Sequence, residues 1–236
     1  MFKGMRRVLL IIWLLLVNLC LMQAQVYQPG EVVPASVIQK RGAKSFFVAS
    51  PIPDSIFRLM QGKTYKRNCT VARSSLRYLR CLHVDKDGRI LVGEMVVNAK
   101  IAKDVLDIFY RLYQAKYPIE RMRLIDYWDA NDERAMRQNN SSAFNFRFVS
   151  HTKTVSKHGK GLAVDINTLY NPYHRVLRNG KEVIEPATGK PYLDRKKHFD
   201  YKIERGDLCY RLFKSKGFVW GGDWKSCKDY QHFEKR

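Results

Sequence analysis

Residues 76–98 read LRYLRCLHVDKDGRILVGEMVVN. Two β-rich runs, Leu76–Val84 and Arg89–Val97, flank Asp85-Lys86-Asp87-Gly88. An acidic turn closed by glycine between two such runs predicts a β-hairpin. Directly after it, Ile101, Val105, Ile108, Phe109 and Leu112 recur at helical spacing, which predicts an amphipathic helix over 99–115, stopped near Pro118. Further along, Phe144, Phe146 and Phe148 alternate with Asn145 and Arg147, and Leu162, Val164 and Ile166 alternate with Ala163, Asp165 and Asn167. Each alternation predicts a strand with one polar or small-residue face. Residues 206–216 read as a short helix, and 171–205, rich in Pro, Gly, Lys and Arg, as a long excursion. Strands and helices do not alternate as βαβ units. The expected class is therefore α+β, a single domain with a central antiparallel sheet flanked by helices.

The chain has 236 residues, 45% of them hydrophobic and 12% aromatic, which is enough to bury a core and excludes global disorder. Its formal net charge is +21, so an anionic partner is expected. Lys3, Arg6 and Arg7 precede the apolar run Val8–Val17, and Ala24 supplies a small residue for cleavage. This is the pattern of a secretory signal peptide, residues 1–24, with an uncleaved membrane anchor as the alternative. Cleavage would take three positive charges off the +21 and leave +18. Export to a periplasmic or extracellular space argues against nucleic acid, for which no binding motif is present either. No other segment is apolar and long enough to span a bilayer. Residues 25–54 read as a leader or linker, and 55–236 as the functional domain. Outside the signal peptide, which holds Cys20, four cysteines remain. In an oxidising compartment the pairs nearest in sequence, Cys69–Cys81 and Cys209–Cys227, are expected to be disulfides.

Two segments carry candidate metal ligands. In Ser156-Lys157-His158-Gly159-Lys160-Gly161-Leu162-Ala163-Val164-Asp165 the glycines allow a sharp turn after His158, and the strand then presents Asp165 on a small-residue face. In Trp220-Gly221-Gly222-Asp223-Trp224 and Asp229-Tyr230-Gln231-His232-Phe233-Glu234 a second histidine, His232, follows a carboxylate, Asp229, by three positions. Two imidazoles and a carboxylate with an open fourth position suit catalytic zinc, and a further carboxylate can handle the proton of an attacking water. On one regular strand Asp229 and His232 would face opposite sides, so a turn or bulge is expected between them. His83, His151, His174 and His198 fall outside these segments and read as solvated or structural.

The ordered set S-x-H-x₂-G-x-A-x-D, W-G-G-D-W and D-x-x-H-F-E resembles the VanY-type zinc peptidases, the D-alanyl-D-alanine carboxypeptidases and L-alanyl-D-glutamate endopeptidases of bacterial cell walls. The resemblance extends through Asn139–Arg147, Asn171-Pro172-Tyr173 and Tyr192–Arg195, and covers about residues 55–235. It implies a hedgehog/DD-peptidase-like zinc fold with His158, Asp165 and His232 as Zn²⁺ ligands and Asp229 as general base and then acid. Arg147 would stabilise the oxyanion, Ser156 would orient the substrate, and Asp223 and Trp224 would shape the cleft. The implied substrates are peptidoglycan stem peptides, with either bond open as the one cut. A non-catalytic zinc domain that binds the wall or a partner is the alternative, for which a retained Asp229 would have no use.

Overall fold

The computed structural model describes residues 26–149 and 152–236. Its first elements are helix α1 (Ala35–Arg41), strand β1 (Val48–Ser50) and helix α2 (Asp54–Met60). The hairpin follows as β2 (Leu76–Val84) and β3 (Ile90–Asn98), then helix α3 (Ala99–Gln114). Next come β4 (Arg121–Met122), α4 (Asp132–Arg137), β5 (Asn140–Ser141) and β6 (Ala163–Asp165). The chain ends with β7 (Tyr173–Val176), β8 (Glu182–Glu185), α5 (Leu208–Ser215), β9 (Phe218–Trp220), β10 (Lys228–Asp229) and β11 (His232–Lys235).

The hairpin turn is closed by Asp85. Its carboxylate accepts from the Asp87 and Arg89 amides at 3.0 and 2.9 Å and from Arg89 Nε at 2.6 Å. Gly88 takes the left-handed conformation the turn needs, φ +78°. Asn98 ends β3 and caps α3, its side chain accepting from the Lys100 amide. One hairpin face, with Leu79, Cys81, Met95 and Val97, packs on Ile101, Val105, Ile108, Phe109 and Leu112 of α3. Phe213 and Phe233 extend this core toward the C-terminal strands, with stacked rings 4.2 Å apart.

The α+β class holds, but the strands form several small sheets, not one central sheet. Three are three-stranded and antiparallel, in the orders β1-β2-β3, β10-β7-β8 and β6-β11-β9. β4 and β5 pair in parallel. Strands of two to four residues after α3 are too short to join one continuous ladder.

Residues 26–54 are not a free linker. β1 pairs with β2, and Tyr27, Val33, Ile38 and Phe46 cover Leu82 and Val92 on the second hairpin face. These contacts are long-range, so local periodicity does not reveal them. Residues 143–148 form no strand. Phe144 and Phe146 are buried, but the segment's amides bond singly to Val96, His158 and Thr64, and Phe148 is exposed. The 171–205 excursion carries the β7–β8 hairpin.

The expected disulfides are absent: Cys69, Cys81, Cys209 and Cys227 are free thiols. Cys69 packs in the cluster around Met60, whereas Cys81 faces α3, its Sγ 3.3 Å from Met122 Sδ. Cys209 is fully buried in α5, whereas Cys227 is half-buried and lies by Tyr173. Nearness in sequence therefore fails to bring either pair together. Burial pushes the Cys81 thiol up to about 12, which keeps it protonated. Among the described residues no helix is long and apolar enough to cross a membrane. The signal-peptide reading of residues 1–24 lies outside the described residues, as does His151.

Candidate active site

β11 is the middle strand of its sheet, and its register sets His232 opposite Asp165 of β6. Residues directly opposite on antiparallel strands share a face, so imidazole and carboxylate are delivered together. His158 reaches the same point from a tight turn. Ser156 Oγ accepts from the Gly159 amide at 2.9 Å, and the Gly161 amide donates to the His158 carbonyl at 2.9 Å. The two glycines of this turn answer to close contact. A Cβ on Gly159 would lie 2.8 Å from the Arg147 carbonyl oxygen, and one on Gly161, φ +67°, would lie 2.8 Å from the Asn98 amide nitrogen.

Three ligand-type atoms converge. His158 Nε2 lies 3.0 Å from His232 Nδ1 and 3.1 Å from Asp165 Oδ2, and His232 Nδ1 lies 3.0 Å from Asp165 Oδ1. The outer ring nitrogens decide what these atoms offer. His158 Nδ1 is 2.6 Å from the Ala143 carbonyl, which can only accept, so Nδ1 carries the hydrogen and Nε2 turns a lone pair inward. His232 Nε2 lies 3.1 Å from Glu234 Oε2, so its Nδ1 likewise points a lone pair inward. Two lone pairs and a carboxylate with no hydrogen between them repel unless a cation sits at their centre. The set His158, Asp165 and His232 therefore fits a metal ion. Without one, a proton takes that role. Burial opposes charge on His232, but the hydrogen bonds to Asp165 and Glu234 outweigh it and push the imidazole up to about 10. Burial also works against the Asp165 anion, yet His158 and His232 hold its carboxyl well below the usual range.

Asp229 stands on a different sheet. It belongs to β10, opposite Tyr173 of β7, which removes the conflict of facing: Asp229 and His232 are on separate strands joined by Tyr230 and Gln231. Gly221 makes this packing possible, since a Cβ there would meet the Asp229 carbonyl oxygen at 2.5 Å. Trp220 Nε1 pins the same segment by donating to the Tyr230 carbonyl at 2.9 Å. Asp229 Oδ1 is buried without a hydrogen-bond partner. Burial, with Asp165 adding and His232 opposing, pushes the Asp229 carboxyl up to about 7, a suitable value for a group that takes and returns a proton.

His158, Asp165, His232, Asp229, Arg147, Ser156 and Trp224 all line one cleft of about 290 Å³. Arg147 Nη1 is buried and ion-paired with Asp132 Oδ2 at 3.0 Å, without a hydrogen bond. The Trp224 ring is 5.3 Å from that of His232. Asp223 is not brought to the cleft wall: it pairs with Arg205 and Lys214. A larger cavity, about 540 Å³, lies between the N-terminal segment and the hairpin and holds none of the ligand-type residues. The other described histidines are accounted for elsewhere. His83 is buried against the Ile119 carbonyl at 2.7 Å, His174 pairs with Glu182, and His198 lies beside Tyr201 in a separate depression.

The cleft also brings in residues given no role from sequence, among them Asp132, Tyr173, Glu185, Gln231 and Glu234. Glu234 had a signal, being two positions from His232 and so on its face of the strand. Glu185 had none, because its place depends on the register of β8 on β7. Residues 150–235 match a family model described as D-alanyl-D-alanine carboxypeptidase. No solved structure matches the chain.

Proposed function

We propose that this chain, a member of the VanY-type peptidases by its ordered motifs and by the family match over residues 150–235, is a zinc-dependent peptidase of peptidoglycan stem peptides. The observation that carries the reading is the inward pair of imidazole lone pairs beside the Asp165 carboxylate, each imidazole oriented by an outer acceptor. His158, Asp165 and His232 would hold the ion, in the zinc fold that the hedgehog/DD-peptidase resemblance implies. Zinc, when bound, supplies Lewis acidity and lowers the pKa of water.

The remaining work falls to the chain. Asp229 accepts a proton from the attacking water and returns it to the leaving amine nitrogen, which its raised carboxyl pKa favours. Arg147, held at the cleft by Asp132, stabilises negative charge growing on the scissile carbonyl oxygen. Ser156 shapes the turn that holds His158 and stands in the cleft wall, where it can orient the peptide. Trp224 closes the wall beside His232. A non-catalytic zinc domain would have no use for a buried Asp229 carboxylate with one oxygen lacking a hydrogen-bond partner, so its presence favours the enzyme. Export, as residues 1–24 suggest, would deliver the basic chain to an anionic wall, and binding there should weaken as salt is raised.

Purified protein is expected to retain about one zinc per chain after loading and dialysis. It is also expected to trim stem peptides. Mass spectrometry then separates loss of a terminal D-Ala from release of L-Ala. A protein that holds no zinc, or that leaves every stem peptide intact, would refute the proposal.

A further inference from the structure

The chain is strongly basic, but its cleft is acidic. Most of the charged groups lining it already have partners. Asp165 and Glu234 engage the histidines. Asp132 faces Arg147 and accepts from Asn145 Nδ2 at 2.9 Å. Lys157 Nζ donates to the Lys235 carbonyl at 2.7 Å. Among the described residues, nothing donates a hydrogen bond to the Glu185 carboxylate or forms an ion pair with it. Burial, then Glu133 and Asp132, push its carboxyl pKa up, with Arg147 opposing.

The sheet places this carboxylate. Asp229 is opposite Tyr173, and Tyr173 is opposite Glu185, so the three form one cross-strand row on the cleft-lining face. Two strand spacings put Glu185 about 10 Å from Asp229. An extended peptide advances about 3.3 Å per residue, so this is about three residues' reach from the scissile amide, or fewer when a long side chain spans part of it. Tyr173 stands between them in the row and lines the same cleft. A second observation asks for the same kind of ligand. Gln231 is only 3% exposed, lines the same cleft, and its Oε1 has no hydrogen-bond donor. An unpaired carboxylate and a bare amide oxygen are both acceptors for N–H.

We propose that Glu185 is a specificity-determining residue that receives the ammonium group of a diamino-acid side chain in the peptide substrate. The proposal rests on the peptidase reading and adds a substrate preference to it.

Its test uses two synthetic stem peptides, identical except that the diamino-acid side chain is free in one and N-acetylated in the other. With the zinc-loaded full chain, kcat/KM should favour the free-ammonium peptide by about fivefold. In Glu185→Gln that ratio should fall to about one, and in Glu185→Lys below one. Retention of the wild-type ratio in both variants would overturn the proposal. If wild-type protein cuts neither peptide, the peptidase reading fails by itself, and calorimetric binding of the same two peptides decides the subsite. Tighter binding of the ammonium peptide to wild type but not to Glu185→Gln upholds it, and equal binding to wild type sinks it.

Discussion

The hairpin–helix unit (β2, β3 and α3) and the C-terminal unit that holds the site are ordered by different means. The first has two nine-residue strands and a 16-residue helix, whose apolar faces meet in regular layers. The second has strands of two to four residues, fixed by glycines that admit close backbone contact, side-chain bonds to carbonyls, and ring packing around Phe233. Regular layers bury apolar area and hold the fold. Short pieces can be aimed independently, so groups from two sheets and a turn reach one cleft. The cost is visible there: Asp229 Oδ1, Gln231 Oε1 and Arg147 Nη1 are buried without hydrogen-bond partners. Residues in the first unit should therefore govern stability, and those in the second should govern rate.

The largest expected effect is at Asp229. Asp229→Asn should lower kcat/KM by about 10²–10⁴. It should also stabilise the fold by about 1–3 kcal/mol at pH 8. The sign follows from a carboxyl raised from 3.8 to about 7 on folding. The native state binds the extra proton between those values, so wild-type stability declines as pH rises through them. The advantage of the variant should be absent below about pH 4 and full above about pH 7, as read by denaturant titration. A variant that loses both rate and stability at pH 8 would break the contrast between the units.

Next is Ile108→Ala, a fully buried α3 position against the hairpin. It should cost about 2–5 kcal/mol of stability. The kcat/KM of the folded fraction should stay within about twofold, since additivity holds for distant sites. Gly221→Ala tests the junction between the sheets. The added Cβ meets the Asp229 backbone, so unfolding should become easier by about 1–3 kcal/mol, with a fall in kcat/KM out of proportion to that loss. The smallest effect is Asn98→Ala, which removes the α3 cap. It should cost about 1 kcal/mol, seen as a lower denaturation midpoint, with kcat/KM falling by about twofold at most, because Asn98 Nδ2 also donates to the Lys160 carbonyl in the His158 turn.

The same division describes what could be read from residues alone. Leu76–Asn98 and the helix after it were legible almost to the residue, because alternation and helical spacing are local signals that the packing then uses. β6 was legible for the same reason, and with it the face that carries Asp165. The trio of His158, Asp165 and His232 was legible as ordered motifs. Local pattern misled where the partner was distant. Phe144 and Phe146 alternate with polar residues but bury in a groove with no ladder. Tyr27, Val33 and Phe46 look like leader residues until the outer hairpin face is there to receive them. The cysteines were paired by proximity in sequence, a quantity that says nothing of which core cluster each thiol enters. Glu185 was invisible because its place at the cleft follows from a strand register.

The two histidines that face the centre differ in how easily mutation can disturb them. His232 takes its orientation from a side chain, Glu234, which a single codon change can remove. His158 takes its orientation from the carbonyl of Ala143, and every amino acid at position 143 would bring the same carbonyl. Its tautomer is thus written into the path of the main chain and is insulated from substitution there. Inheritance can tune the site through one imidazole while the other stays put.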